Sequence, residues 1–209
     1  HRLVVSVSGG KDSVATCLHL MELGYQPEDY DRIFMDTGWE SAESYRYLRT
    51  VLPSVIGPIT ELRAEVKIDD PELEAIAIRY EDRIGHYSAM IRLCIKKGMF
   101  PSRMVRFCTR ALKLKPAKKF LNSCDFDPVN AVGIRAQESK ARSQMEEFDW
   151  SDGLDCHVWR PIIRWTTQDV IDIHKRWNFA PNPLYFNGAD RVGCWPCIYC
   201  AKKEIHHIA

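Results

Sequence analysis

The chain has 209 residues, 45% hydrophobic and 27% charged. That balance is ordinary for a globular protein, and the length supports one domain, 1–209, carrying at most a modest insertion. Its 29 basic and 28 acidic residues leave a formal net charge of +1, so any anion-binding surface must be local. No run reaches the roughly 18 apolar residues of a membrane-crossing helix, and His1–Val5 turns polar too soon for a secretory signal. A cytoplasmic protein without a membrane partner is the expectation.

The first predicted element is a buried strand over 3–7, short, apolar and β-branched. Ser8-Gly9-Gly10-Lys11-Asp12-Ser13 follows, and then Val14, Ala15, Leu18, Leu20, Met21 and Leu23 recur at helical spacing up to Gly24. A second strand over 32–35 ends at Asp36-Thr37-Gly38, a helix is expected over 39–52, and a third strand over 55–62. Strands alternating with helices predict an α/β fold, a parallel sheet with helices on both faces. The pattern then changes. Asp69-Asp70-Pro71 reads as a helix start inside a helical insertion at about 64–98. A helix over 103–121, strands over 129–134 and 157–163, and a helix from Thr166 to about Trp177 follow. From Pro181 the chain is rich in Pro, Gly, Asn and Cys and is expected to be irregular.

A glycine-rich turn between a strand and a helix lets backbone approach an anion closely, and the helix N-terminus offers free N–H groups. Lys11 adds a full charge, and Ser8 and Ser13 add hydroxyls, so the loop is expected to cradle a phosphate or pyrophosphate. Neither the G-x-x-x-x-G-K-[ST] loop nor the G-x-G-x-x-G fingerprint fits.

Of eight cysteines, Cys17, Cys94, Cys124 and Cys156 read as structural thiols. Cys194-x-x-Cys197-x-x-Cys200 has metal or iron–sulfur spacing. From Lys96 to Lys119 run nine basic residues and no acidic one. That stretch is either a solvated helix face or a patch for an anionic partner, such as nucleotide phosphates, DNA or an acidic protein, with Arg135 and Arg142 as possible additions.

The hexapeptide Ser8–Ser13 resembles the PP-loop of the adenine nucleotide alpha-hydrolase superfamily, which includes ATP pyrophosphatases, sulfate-assimilation reductases and tRNA thiolation enzymes. Four further segments resemble its sulfonucleotide reductase branch: Asp36-Thr37-Gly38-x-Glu40, Gly133-Ile134-Arg135-x-x-Glu138-Ser139-x-x-Arg142, Pro161-Ile162-x-x-Trp165-Thr166-x-x-Asp169-Val170, and Pro181-Asn182-Pro183-Leu184-Tyr185 leading to Gly193-Cys194-x-x-Cys197. They run in the family's order and cover most of the chain outside the insertion.

The resemblance implies a Rossmann-like fold binding ATP with Mg²⁺. Ser8, Gly9, Gly10, Lys11, Asp12 and Ser13 would hold the phosphates, with Lys11, Asp12 and Ser13 catalytic, and Asp36, Thr37, Gly38 and Arg135 would complete the nucleotide site. Phe107-Cys108-Thr109 resembles the paired-cysteine segment of iron–sulfur adenylyl-sulfate reductases, with Phe107 in place of one cysteine. Cys108, Cys194, Cys197 and Cys200 would then ligate a [4Fe–4S] cluster, with zinc or no metal as alternatives. Among family members, the DNA phosphorothioation proteins DndC and SspD are most similar. They imply an ATP pyrophosphatase that activates a DNA phosphate for sulfur delivered by a cysteine desulfurase, the basic 96–119 stretch meeting DNA or partner proteins, with a homodimer possible. The alternatives are a sulfonucleotide (PAPS or APS) reductase and a nucleotide-binding regulator without turnover.

Overall fold

The computed structural model describes residues 1–200 and Glu204. Six strands form one sheet in the order β3-β2-β1-β4-β6-β5. β1 (Arg2–Ser6) lies between β2 (Tyr30–Asp36) and β4 (Pro128–Val132), parallel to both. β3 (Thr60–Arg63) and β6 (Cys156–Trp159) extend the parallel array on either side. β5 (Phe148–Ser151) pairs antiparallel with β6 at one edge. This hairpin strand corrects the all-parallel expectation: Phe148 and Trp150 on β5 are half-exposed, so it lacks the continuous apolar run that marks a buried strand.

Alternation along β1 divides the core. Val5 and Val7 face one cluster with α1 (Lys11–Glu22) and α8 (Thr167–Arg176). Val4 faces the other, with Ala117 and Leu121 of α7 (Lys115–Leu121). Period-two placement on the strand therefore buries both faces under helices, and the expected α/β architecture is present.

Two helical regions depart from their predicted bounds for one shared reason. α2 (Ala42–Arg46) begins at Ser41, whose side chain accepts from the Ser44 N–H, and passes through a π turn (Tyr47–Val51) into α3 (Pro53–Ile56). The short α6 (Phe107–Thr109) passes through a second π turn (Arg110–Leu114) into α7. In both, proline is the second residue after the π turn, Pro53 in one and Pro116 in the other. A proline ring clashes with the carbonyl four residues back and donates no N–H. Widening the preceding turn accommodates it, with Leu52 N–H reaching Tyr47 O at 2.8 Å. Helix thus runs through 55–56, and β3 starts at Thr60 rather than Val55.

The insertion is two helices, α4 (Pro71–Ile84) and α5 (Ala89–Lys97). Asp70 caps α4 by accepting from the N–H groups of Glu72 and Leu73. Arg92 clasps the pair, bonding Glu74 and Glu81 at 2.8 Å each. Among the described residues no helix is long and apolar enough to cross a membrane.

Candidate functional site

The sheet's strand order reverses between β1 and β4, and the crevice beyond the carboxyl ends of those strands is where open α/β sheets bind ligands. Ser8–Ser13 lies there. Gly9 adopts φ +72°, and Gly10 is the N-cap of α1 with no side-chain cap, which leaves first-turn N–H groups available to an anion. Ser13 Oγ donates to Gly10 O at 2.9 Å and accepts from Ser8 N–H at 3.2 Å, tying the loop into a ring. The two serine hydroxyls stand 3.2 Å apart.

The loop is braced from outside. Arg135, buried just beyond β4, donates from Nε to Asp12 Oδ1 at 2.5 Å and from Nη1 to Gln137 and Thr167. Lys11 Nζ lies 3.6 Å from Asp12 Oδ2. Asp12 thus orients both cations, and Arg135 acts on the loop through it. A Cβ on Gly133 would fall 2.6 Å from Asp12 O, so β4 and α1 meet backbone to backbone there. His174 of α8 sets one ring nitrogen 3.0 Å from Lys11 O and the other 3.0 Å from Phe179 O.

Tyr185 has a position its sequence motif did not reveal. Its hydroxyl accepts from Lys11 N–H at 3.1 Å, and the Lys11 ammonium lies 4.8 Å from its ring centre. Burial pushes this phenol up to about 12. The phenol oxygen therefore occupies one of the N–H positions that a phosphate oxygen would use.

Asp36, Thr37 and Gly38 are brought to the same end of the sheet, but inward. Asp36 is fully buried, and its carboxylate takes Tyr45 Oη at 2.7 Å, Gly38 N–H at 2.8 Å and the Arg63 guanidinium. Burial pushes the carboxyl up, but the bonds from Tyr45, Arg63 and Gly38 outweigh it and hold the group below the usual carboxylate range. Thr37 O accepts from Met90 N–H, and a Cβ on Gly38 would lie 2.6 Å from Ser88 Cα. The segment expected near the nucleotide thus docks the insertion. Only long-range packing revealed this.

The expected four-thiolate set is not assembled. Cys108, Cys194 and Cys197 share one apolar cluster with α5, and Cys200 N–H bonds Cys197 O at 2.9 Å. Yet among the described residues no group of three or more His, Cys, Asp or Glu side chains is arranged to hold a metal ion. The reason lies at Cys194. Its thiol is taken up at 3.7 Å from Glu40 Oε1 and 3.6 Å from Thr37 Oγ1, and the charge of Lys113 is coupled to it from inside the fold. Burial pushes this thiol up, against the pull of Lys113. Its main chain bridges Glu40, and Trp195 N–H bonds Trp39 O at 2.7 Å.

The basic run separates into three destinations. Lys113 turns inward; Lys96 pairs with Asp69 and Arg103 bonds Ile198 O. Lys97, Arg106, Arg110, Lys115, Lys118 and Lys119 line an open surface groove of about 1080 Å³. Arg135 and Arg142 do not join it, being paired with Asp12 and Glu138.

Comparison with known proteins agrees with this geometry. Residues 2–200 match the family described as phosphoadenosine phosphosulfate reductase domain. An uncharacterized 37.8 kDa protein of Escherichia phage 186 is 35% identical over 239 residues, covering 98% of this chain and 69% of the relative. An adenosine 5'-phosphosulfate reductase of Oceanobacillus iheyensis is 27% identical over 167 residues, covering 80% of this chain and 60% of the enzyme. Among solved structures, the phosphoadenylyl-sulfate reductase of Candida auris in its phosphate complex superposes with a TM-score of 0.64 at 15% identity, over 94% of this chain and 83% of that one.

Proposed function

Because the chain belongs to the phosphoadenosine phosphosulfate reductase domain family, we propose that it is an ATP pyrophosphatase that activates an acceptor for sulfur insertion. The single observation that supports this most is the loop itself. It joins an uncapped helix N-terminus, the Lys11 ammonium and two serine hydroxyls, held by Asp12 and Arg135. That set neutralises a leaving pyrophosphate, whose charge grows as the bond to the α-phosphate breaks. ATP arrives with Mg²⁺. An acceptor oxygen attacks the α-phosphate and gives adenylylated acceptor plus pyrophosphate; the terminal sulfur of a persulfide then displaces AMP, and a dithiol reductant supplies the two electrons that cleave the resulting S–S bond and leave the sulfur on the acceptor. Lys11 and the loop N–H groups supply charge stabilisation, and Arg135 fixes their positions, so the chemistry is electrostatics and positioning. In this reading the acceptor is a DNA backbone phosphate and a cysteine desulfurase supplies the sulfur. Among the described residues the thiols form no group of three or more arranged to hold a metal ion, and the activation step is carried by the loop.

The test is pyrophosphate release from Mg-ATP, with Lys11→Ala and Ser13→Ala beside the unaltered chain. We expect release in the parent and a loss of about 100-fold or more in Lys11→Ala, the usual scale for one group that stabilises developing charge. A second reading, a sulfonucleotide reductase, is favoured by the similarity to adenosine 5'-phosphosulfate reductases. Sulfite released from adenosine 5'-phosphosulfate with thioredoxin, and no pyrophosphate from ATP, would establish that reading instead. ATP binding with neither product would mark a regulator.

A further inference from the structure

We propose that the groove along the outer face of α6, its π turn and α7 binds a single strand of nucleic acid. This surface is separate from the phosphate loop, and the proposal concerns binding alone. Six cations line the groove and no carboxylate does. Lys118 leans to Asp155 at 3.4 Å and Arg106 bonds Tyr199 Oη at 3.0 Å. Lys97, Arg110, Lys115 and Lys119 have no ion-pair partner among the described residues. A surface stabilised for its own sake intersperses both signs, whereas an uncompensated row of cations is complementary to a polyanion.

Two observations select a single strand over a duplex or an acidic protein. Between the cations the lining is apolar, with Leu93, Phe107, Ala111 and Leu114 contributing. Just before Arg106 the chain holds Met104, 92% exposed, and Phe100, 49% exposed. Unpaired bases lie on apolar and aromatic side chains while phosphates meet cations. A duplex hides its base faces and an acidic protein has none. From Arg106 to Lys119 the helical backbone spans about 20 Å at ~1.5 Å per residue, enough for a site of roughly four nucleotides, the short end for single-strand binders.

The experiment is fluorescence anisotropy of a labelled 12-nucleotide oligodeoxythymidine with the full chain, without ATP, over a salt series. Four to five phosphate contacts predict a log–log salt slope of about −3, at ~0.7 per phosphate neutralised on a single strand. An Arg110→Gln/Lys115→Gln double variant should bind at least about tenfold more weakly and reduce the slope by about 1.4. Both side chains lie outside the apolar clusters, so an unchanged thermal midpoint shows that the loss is not unfolding. Lys119→Glu is an independent second variant and should weaken binding in the same direction. Three results would overturn the proposal: no binding at low salt, equal competition by a duplex of matched length, or equal competition by polyglutamate of matched charge. Since ATP is absent, each leaves the pyrophosphatase reading standing. Conversely, failure to release pyrophosphate leaves the groove untouched.

Discussion

The phosphate loop and the cysteine segment lie at the same end of the sheet and are built by opposite means. The loop is short, and its ring of bonds joins residues within five positions of one another: Ser8 to Ser13, Ser13 to Gly10. Distant partners only brace it. The cysteine segment has almost no local scaffold. Its order comes from contacts more than 150 residues away in sequence, where Cys194 meets Glu40 and Trp195 meets Trp39. A site encoded locally is complete before anything binds, while one assembled over long range adopts whatever arrangement its neighbours favour.

Substitutions can break or sharpen this contrast. The largest effect is expected at Gly133→Ala. Its new Cβ meets backbone rather than a flexible side chain, so neither β4 nor α1 can yield cheaply. A loss of about 3 kcal/mol in denaturant-derived stability is expected, at the upper end for overpacking, together with weakened nucleotide binding. A drop under about 1 kcal/mol would mean that the loop floats free of β4.

Arg135→Ala comes next. Removing the buried partner of Asp12 leaves that carboxylate with Lys11 alone, and about 2 kcal/mol should be lost, the scale of a charged hydrogen bond. Unfolding curves read that loss, and isothermal titration with nucleotide should show weaker binding in parallel. Unchanged nucleotide affinity would show that Asp12 does not transmit the brace to the loop.

Acid pH probes the docked side of the site. The folded pKa of Asp36 is depressed, so its stabilisation is present above the unfolded value of about 3.9 and disappears as pH falls through the lower folded value. Asp36→Asn should be less stable at pH 7, with the difference closing in the acid limb of a circular-dichroism titration. Parallel curves would remove Asp36 as the source.

Tyr185→Phe removes the oxygen that takes the Lys11 N–H, with expected tightening of nucleotide binding by about fivefold, since a phosphate no longer displaces a hydrogen bond of ~1 kcal/mol. Weaker binding would show instead that the phenol serves the bound nucleotide. The smallest change belongs to Cys200→Ala. This thiol lies outside the apolar cluster that holds Cys108, Cys194 and Cys197, and stability should stay within ~0.5 kcal/mol. A larger shift in the thermal midpoint would show the segment to be tighter than its contacts suggest.

What could be read from the sequence follows the same division. Gly9-Gly10-Lys11 after a β-branched run is enough to place the loop, because strand, turn and helix N-terminus are adjacent in the chain. The sheet was also legible, except for the start of β3, which lies beyond helix at 55–56, and for β5, whose alternating exposed aromatics resemble surface. Cysteine spacing reports that thiols recur, not where they point, so the gathering of Cys108, Cys194 and Cys197 into one cluster was not legible. Lys113 appears in the chain as one cation among nine, and only the fold turns it inward. Asp36 was placed at the correct strand end, yet its carboxylate is filled by Tyr45 and Arg63, a matter of tertiary contact.

The π turn at Arg110–Leu114 carries one residue more than an ordinary helix would need to cover the same rise. That surplus sets the rotational phase between the thiol of Cys108 at one end and the lysines of α7 at the other. Deleting a single codon there would hardly alter composition or hydropathy. It would nonetheless swing Cys108 by roughly 100° about the axis relative to Lys115–Leu121, uncoupling a buried edge from a wetted one in a single evolutionary step.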